Sequence, residues 1–397
     1  MDVRTFTALL TPVGWQLLSQ VEQDLDDSDP LTLGTRLRRT HHPTLVAGAI
    51  EQVELRRRAV TKFGGDAARM YFTHEGLEQA TNPTVARHRF RRLADHGGRS
   101  LVDLCCGIGG DLVVASGLFD EVTGVDLDPL ACAVARANLD ALGVTARVVE
   151  SDVEAFLLDG YDAVFADPAR RDGRGRVWSR DGYRPGWNFV ERVLKRTACI
   201  KTSPALPHDA VPASVEAEWI SFDGQVREVC LWSPDLRSTA RRATVLTYSS
   251  DAITVAHSIT ADQVPDDVQI RDMGRYVHEV DPAATAAHLV PAVAGLLNGW
   301  LVDDHIGYVS TDSPRSSALS RTYEVVDEVP YQRKKLRAAL RQRGIGALTI
   351  KKRGVNVDPA RLRRELALRG STPGTILLTR TPLGARAYLI QPIPGGH

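Results

Sequence analysis

Between Leu101 and Asp111 the chain reads Leu-Val-Asp-Leu-Cys-Cys-Gly-Ile-Gly-Gly-Asp. An apolar run thus carries one acid, Asp103, into a turn built on Gly107, Gly109 and Gly110. Glycines tolerate positive φ and, having no Cβ, let a ligand approach the backbone closely. The theme recurs three times. Val122 to Pro129 holds Asp126 and Asp128, Ala146 to Asp152 ends on an acid, and Tyr161 to Pro168 ends on an Asp-Pro pair. Four buried strands of this kind line up their polar carboxyl ends along one edge of a parallel sheet, where open α/β folds bind ligands. An acid about twenty residues beyond a glycine turn is placed to accept hydrogen bonds from ribose hydroxyls. Asp126 stands at that spacing.

A dinucleotide-binding dehydrogenase needs a third glycine three positions after the second. That position here is Leu112, and Asp103 stands where the dehydrogenase fingerprint has no acid. In order and content the series resembles the class I S-adenosylmethionine-dependent methyltransferases. The resemblance implies a Rossmann-like α/β domain that binds S-adenosylmethionine. It implies that Asp103 orients the methionine amino end and that Gly107 and Gly109 admit the methionine moiety. Asp126 would then hold the ribose, Asp152 would meet the adenine amino group, and Asp111, closing the loop, joins this cofactor set.

At 397 residues the chain exceeds one ordinary core, and its 43% hydrophobic and 25% charged residues are those of a globular protein. It has no uninterrupted apolar run of about 18 residues, and Met1 to Thr7 shows no charged segment ahead of an apolar one. Neither a membrane span nor a secretory leader is expected. Five cysteines form no Cys-x-x-Cys pair, so free thiols in a reducing cytoplasm are expected, without a zinc site or disulfide framework. His74, His88 and His278 lack the spacing of metal ligands, so no metal is expected either.

Helical spacing of Leu9, Trp15, Leu17, Leu18, Val21 and Leu25, and again of Leu45, Ile50, Val53 and Leu55, predicts a helical domain over 1–95. Thr81 or Asn82 can cap a further helix with Pro83 in its first turn. The α/β domain is expected over 96–248 and a small α+β accessory domain over 249–325, with one helix across 283–297. A last α+β domain, over 326–397, alternates helix, strand, helix and strands. The formal net charge of zero hides an asymmetry. From Tyr331 onward fifteen Lys and Arg face two acids, Asp358 and Glu365, so the segment carries +13 and the remainder −13. So basic a segment on an acidic body suggests a polyanion partner.

Tyr71 to Leu93, followed by these motifs, resembles the trimethylguanosine synthase group of RNA methyltransferases. There a Thr-Pro-containing segment and helix cover the cofactor just ahead of the first motif. The likeness spans about residues 71–170 and departs at the fourth motif. That group has Pro-Pro and a tryptophan that stacks on the base; this chain has Asp167-Pro168-Ala169-Arg170. Leu336 to Pro359, with Lys351-Lys352-Arg353-Gly354 inside it, resembles the THUMP-like domain that follows such methyltransferases in a bacterial family. True THUMP domains bind tRNA, so this resemblance implies an RNA partner (tRNA or rRNA).

Methyl transfer from a sulfonium is an in-line displacement, so catalysis is mostly positioning. An Asp followed by Pro at the end of the fourth strand can accept a hydrogen bond from an amino group and hold its lone pair toward the methyl. Asp167 and the Pro168 carbonyl are the candidate catalytic pair; alternatively Asp167 only caps the turn. Trp178, Tyr183 and Trp187 could stack a splayed base while Arg170, Arg171, Arg174 and Arg176 hold phosphates, or the aromatics could pack on the sheet. Lys351, Lys352 and Arg353 form a candidate phosphate cradle. The expected function is methylation of an RNA base nitrogen. A methyltransferase for a small molecule or protein, and a non-catalytic RNA-binding protein with this fold, are the alternatives.

Overall fold

The computed structural model describes residues 1–25, 29–170, 183–248 and 254–393. The chain divides into two compact units, Met1–Val215 with Cys230–Arg237, and Glu216–Val229 with Ser238–His397.

The first unit opens with helices α1 (Val3–Leu9), α2 (Pro12–Asp24), α3 (Pro30–Leu37), α4 (Pro43–Phe63), α5 (His74–Gln79) and α6 (Pro83–Ala94). Four of the six begin on proline, whose missing N–H is no loss in a first turn. Thr11, Asp29 and Asn82 cap α2, α3 and α6, their side chains accepting from the N–H groups of Gly14, Thr32 and Thr84. The apolar run from Leu9 to Leu25 is two helices, since Pro12 has no N–H to donate into α1.

Next come β1 (Ser100–Leu104), α7 (Gly110–Ala115), β2 (Glu121–Asp126), α8 (Pro129–Leu142), β3 (Arg147–Glu150) and β4 (Ala163–Ala166). The short pair β5 (Ala169–Arg170) and β6 (Tyr183–Arg184), α9 (Trp187–Val193) and β7 (Ala198–Thr202) follow. The long strands run parallel in the order β7-β4-β1-β2-β3. Leu101, Val102, Leu104, Phe165 and Ile200 are wholly buried, as both faces of a parallel sheet require. The chain moves outward from β1 to β3, then returns to the other side of β1 with β4. This reversal opens a crevice at the carboxyl ends of β1 and β4. It is the Rossmann-like arrangement expected from the motifs.

In the second unit β8 (Glu216–Phe222) precedes β9 (Gln225–Trp232), whose residues are shared between the units, and β10 (Arg241–Tyr248). β10 pairs in parallel with β8 and antiparallel with β11 (Thr254–Thr260). The chain continues through β12 (Tyr276–Val280), α10 (Pro282–Ala286), α11 (Val290–Leu297), β13 (Trp300–Leu301), β14 (Tyr308–Thr311) and β15 (Ser320–Val329). It ends with α12 (Arg333–Gln342), β16 (Ile345–Arg353), α13 (Pro359–Leu366), β17 (Thr372–Thr381) and β18 (Gly384–Pro392). The helix expected across 283–297 is broken at His288, which has φ 56°. Pro291 lacks the N–H that a continuous helix would direct to Ala287, so it sits in the first turn of a new one.

Strands β12 to β18 form one sheet, ordered β13-β14-β12-β15-β18-β17-β16. It curls strongly. Lys351 on β16 reaches Glu279 on β12 at 2.6 Å, although four strand spacings would separate them by about 19 Å in a flat sheet. Val277, Tyr308, Tyr323, Leu377, Tyr388 and Ile390 cluster on the inside. On the other face Ile376 and Leu378 pack with Leu336 and Leu340 of α12 and Leu362 and Leu366 of α13. Among the described residues, no helix is long and apolar enough to cross a membrane.

His278 on β12 is wholly buried between Thr322 and Thr311, each hydroxyl 3.0 Å from a ring nitrogen. Burial lowers its pKa from 6.5 to about 4, so the folded protein keeps the ring neutral. The unfolded chain takes up this proton at higher pH than the fold does. The stabilisation is therefore complete above pH 6.5 and drains as pH falls toward about 4. Between about pH 7.5 and about pH 5 the wild type should lose about 2 kcal/mol more stability than His278→Gln, measured by urea unfolding. Equal losses would mean that the ring titrates alike folded and unfolded.

Candidate cofactor and acceptor site

The connection from β1 to α7 runs through Cys105, Gly107 and Gly109 at φ 65°, 54° and 79°. The N–H groups of Cys105 and Cys106 donate to the Val125 carbonyl at 2.8 and 3.2 Å, fixing the turn against β2. Asp126, at the end of β2, accepts from the Gly107 N–H at 2.8 Å and the Asp128 N–H at 2.9 Å. The two glycines differ in what surrounds them. A Cβ on Gly107 would meet nothing within 4 Å, whereas one on Gly109 would lie 3.1 Å from the Ala135 Cβ on α8. Gly107 borders open space; Gly109 is required for packing.

Asp103 is 1% exposed, and neither carboxylate oxygen has a hydrogen-bond partner among the described residues. Burial first, then the charge of Asp111, raises its pKa well above the carboxylate range, with Arg89 opposing and Asp167 and Asp126 adding to the rise. A buried polar group without a partner is unfavourable. A ligand ammonium group is chemically suited to relieve it.

Asp111 sits differently from the other acids. Its Oδ1 accepts from Arg89 Nη2 at 2.7 Å and its Oδ2 from the Thr81 hydroxyl at 3.4 Å. Arg89 is wholly buried on α6, its guanidinium 4.0 Å from the centroid of the Phe165 ring. The carboxylate grouped by sequence with the cofactor set therefore fastens α6 to α7. Asp152 is exposed after β3, where its Oδ1 accepts from the Glu154 N–H at 2.9 Å.

The Asp167 N–H donates to the Leu104 carbonyl at 3.1 Å, which joins the end of β4 to the root of the glycine turn. Its Oδ2 accepts from Lys201 Nζ at 2.6 Å, and the same ammonium donates to the Thr81 hydroxyl at 3.0 Å. Oδ1 has no hydrogen-bond partner among the described residues, and the side chain is 31% exposed. Pro168 is buried beside it. Lys201 and Arg89 are absent from the sequence-derived set. A lysine at the carboxyl end of the apolar strand Ala198-Cys-Ile-Lys-Thr is a visible signal for the first. Arg89, one of several arginines on α6, gives none.

The segment before α6 lies against the glycine turn. A Cβ on Gly76 would come within 2.3 Å of the Ile108 Cγ2. Lys62 closes the end of α5 by donating to the carbonyls of Leu77 and Ala80 at 2.6 and 2.7 Å. Burial raises the pKa of the Cys106 thiol well above its ordinary range and that of Cys132 to about 11, which makes them poor nucleophiles.

Other candidates are dispersed. Trp187 is only 5% exposed, so it packs in the core and offers no stacking face. Arg171, Arg174, Arg176 and Trp178 lie outside the described residues, as do the side chains of Arg170 and Tyr183, whose backbones form β5 and β6. Lys351 does not share a cradle with its neighbours. The curl of the sheet carries it to Glu279, with Nζ 5.1 Å from the Tyr323 ring centroid, while Lys352 and Arg353 remain exposed.

A parallel sheet with its reversal beside a glycine turn, an orphaned buried acid and a second acid one strand over defines a nucleotide-type cofactor site. Family profiles match a methyltransferase domain over residues 101–170, a THUMP domain-like region over 320–392 and a domain of unknown function over 2–59. Proteins of two Mycobacterium tuberculosis strains, CDC 1551 / Oshkosh and ATCC 25618 / H37Rv, are each named as an uncharacterised S-adenosylmethionine-dependent methyltransferase. Each is 36% identical over 358 residues, covering 86% of this chain and 96% of its own length. A crystal structure described as a candidate methyltransferase from Porphyromonas gingivalis W83 shares the fold, with TM-score 0.78 and 18% identity over 94% of this chain and 96% of its own. The chain belongs to the S-adenosylmethionine-dependent methyltransferases.

Contact between Asp103 and the ammonium group of the cofactor would link binding to a proton. Its raised pKa favours the protonated form in the free protein, and an ammonium partner favours the ionised form. Binding of S-adenosylmethionine should release a proton and tighten as pH rises. Calorimetry in two buffers of different ionisation enthalpy should show this release in the wild type and its loss in Asp103→Asn. An identical proton count for both proteins would remove Asp103 from the linkage.

Proposed function

We propose that this methyltransferase acts on RNA, placing the methyl on a base nitrogen. Asp167 and the Pro168 carbonyl orient the acceptor, and a basic domain over 326–397 binds the phosphates. S-adenosylmethionine supplies a methyl made electrophilic by its sulfonium. In this reading Asp103, Gly107, Gly109, Asp126 and Asp152 hold the cofactor, and Asp111 shapes its loop through α6. The observation that carries the acceptor assignment is the open Oδ1 of Asp167 at the β1–β4 crevice. An amine N–H donated to Oδ1 turns the nitrogen lone pair in a fixed direction, which is what an in-line displacement requires.

Charge supports RNA over a small acceptor. Of the fifteen cationic residues from Tyr331 onward, six form salt bridges: Arg333, Arg343, Lys351, Arg361, Arg380 and Arg386. Lys334 and Lys335 on α12, Arg364 on α13, Lys352 and Arg369 are exposed and form no salt bridge among the described residues. The match to a THUMP domain-like profile points the same way, since THUMP domains bind tRNA.

Tritium from methyl-labelled S-adenosylmethionine, offered to the RNA, protein and metabolite fractions of a cell extract, should enter RNA. Asp167→Ala should abolish this transfer and leave cofactor affinity unchanged. Label confined to protein or metabolites would replace RNA by that class of acceptor.

Each phosphate contact adds about −0.7 to the slope of log K against log salt for single-stranded RNA. Replacing Lys334, Lys335 and Lys352 with alanine should flatten that slope by up to about two units. Lys351→Ala should instead lower stability with little change in slope, because its ammonium is committed to Glu279. The reverse pattern in fluorescence titrations would return the phosphate contact to Lys351.

A further inference from the structure

We propose that Lys201 is a positioning residue for methyl transfer. By holding Oδ2 of Asp167, it leaves Oδ1 as the one atom of that carboxylate open to the acceptor N–H. The inference rests on the reading of Asp167 as the acceptor-orienting group.

The terminal torsion of an aspartate is broad and two-fold, so a free carboxylate offers either oxygen in a range of directions. One short charge-assisted bond breaks that equivalence. β4 and β7 are parallel neighbours with Ala166 opposite Ile200, so the next residue of each strand, Asp167 and Lys201, emerges side by side at the carboxyl edge. The Lys201 side chain is only 15% exposed and its Nζ lies 2.6 Å from Oδ2. Its bond to the Thr81 hydroxyl at 3.0 Å fixes the ammonium from the other side. Thr81 immediately precedes the cap of α6 and also reaches Asp111. The acceptor carboxylate is thereby tied to the segment that covers the glycine turn.

Lys201 could also serve only to offset the acids of this site, and the two roles predict effects of opposite sign. Sinefungin is an S-adenosylmethionine analogue in which an amine-bearing carbon replaces the sulfonium and its methyl. It presents N–H donors toward whatever orients the acceptor, so its affinity relative to S-adenosylhomocysteine reads the Asp167 geometry with no methyl acceptor present. Calorimetry on the full chain should show wild type preferring sinefungin by about tenfold or more, the worth of a hydrogen bond to a charged group. Asp167→Asn should lose this preference. Lys201→Met should lose most of it while binding S-adenosylhomocysteine within about twofold of wild type, and Lys201→Arg should restore it.

A preference that rises in Lys201→Met would mark mere relief of repulsion between two ammonium groups and overturn the proposal. Both ligands weakening in equal proportion in Lys201→Met would assign Lys201 to the scaffold and overturn it as well. If wild type shows no preference, or Asp167→Asn keeps it, the Asp167 reading itself fails and takes this inference with it. If Asp167→Asn loses the preference and Lys201→Met keeps it, only the role of Lys201 fails.

Discussion

Asn138 has no exposed surface, and its amide makes three hydrogen bonds to main chain. Its Oδ1 accepts from the Tyr71 N–H at 2.6 Å, while Nδ2 donates to the carbonyls of Tyr71 and Ile108 at 3.0 and 2.8 Å. One side chain on α8 therefore sets the position of the covering segment relative to the glycine turn. Gln52 on α4 does the same for the next residue, exchanging bonds with the Phe72 N–H and carbonyl at 2.9 and 2.6 Å. Losing either amide would strand buried main-chain groups at about 1–3 kcal/mol each. The helical N-terminal region thereby helps to fix the segment beside the glycine turn, since residues 71–80 are held by α4 on one side and α8 on the other.

The site concentrates negative charge. Asp103, Asp111, Asp126 and Asp167 stand close enough for the other three to raise the pKa of Asp103. Among the described residues two cations answer them, and each comes from outside the glycine turn. Arg89 arrives on α6 and Lys201 on β7, and both bonds lead to Thr81 or its partner Asp111. Asp103 feels the charge of Arg89, yet neither of its oxygens has a hydrogen-bond partner among the described residues. Asp111, Asp126 and Asp167, by contrast, each have at least one hydrogen-bond donor.

What the sequence displayed was local. The glycine turn, the acids after each strand and the prolines that open helices are patterns within a few residues, and they place β1, β2, β4 and the crevice. What it concealed was long-range pairing. Asn138 and Tyr71 are separated by 67 positions and Lys201 and Thr81 by 120, so no periodicity connects them. Asp111 is grouped with the cofactor set because it follows the glycines; its partner Arg89, 22 positions earlier on a helix rich in arginine, gives no such signal. The break at His288 was readable in principle from Pro291, but an apolar run of alanines and leucines masked it.

The same limit governs the basic segment. Counting charges treats fifteen cations as equivalent, yet the fold distributes them unequally. Curling the sheet takes Lys351 into a polar contact with Glu279 and Tyr323, while the exposed Arg380 pairs with Asp303. Lys351 keeps only 22% of its side chain exposed, and burying it so far without a partner would be unfavourable, so an acid on the facing strand accompanies the curl. The charge left for a polyanion then resides on the outward faces of α12 and α13 and on the exposed end of β16. These helices seat an apolar stripe, Leu336 and Leu340 on one and Leu362 and Leu366 on the other, which leaves Lys334, Lys335 and Arg364 exposed on long stems. A surface of that kind suits a backbone of repeating phosphates better than a single small anion, which would need converging donors. In the RNA reading proposed above, such a face carries no sequence information, and selectivity falls to the acceptor crevice.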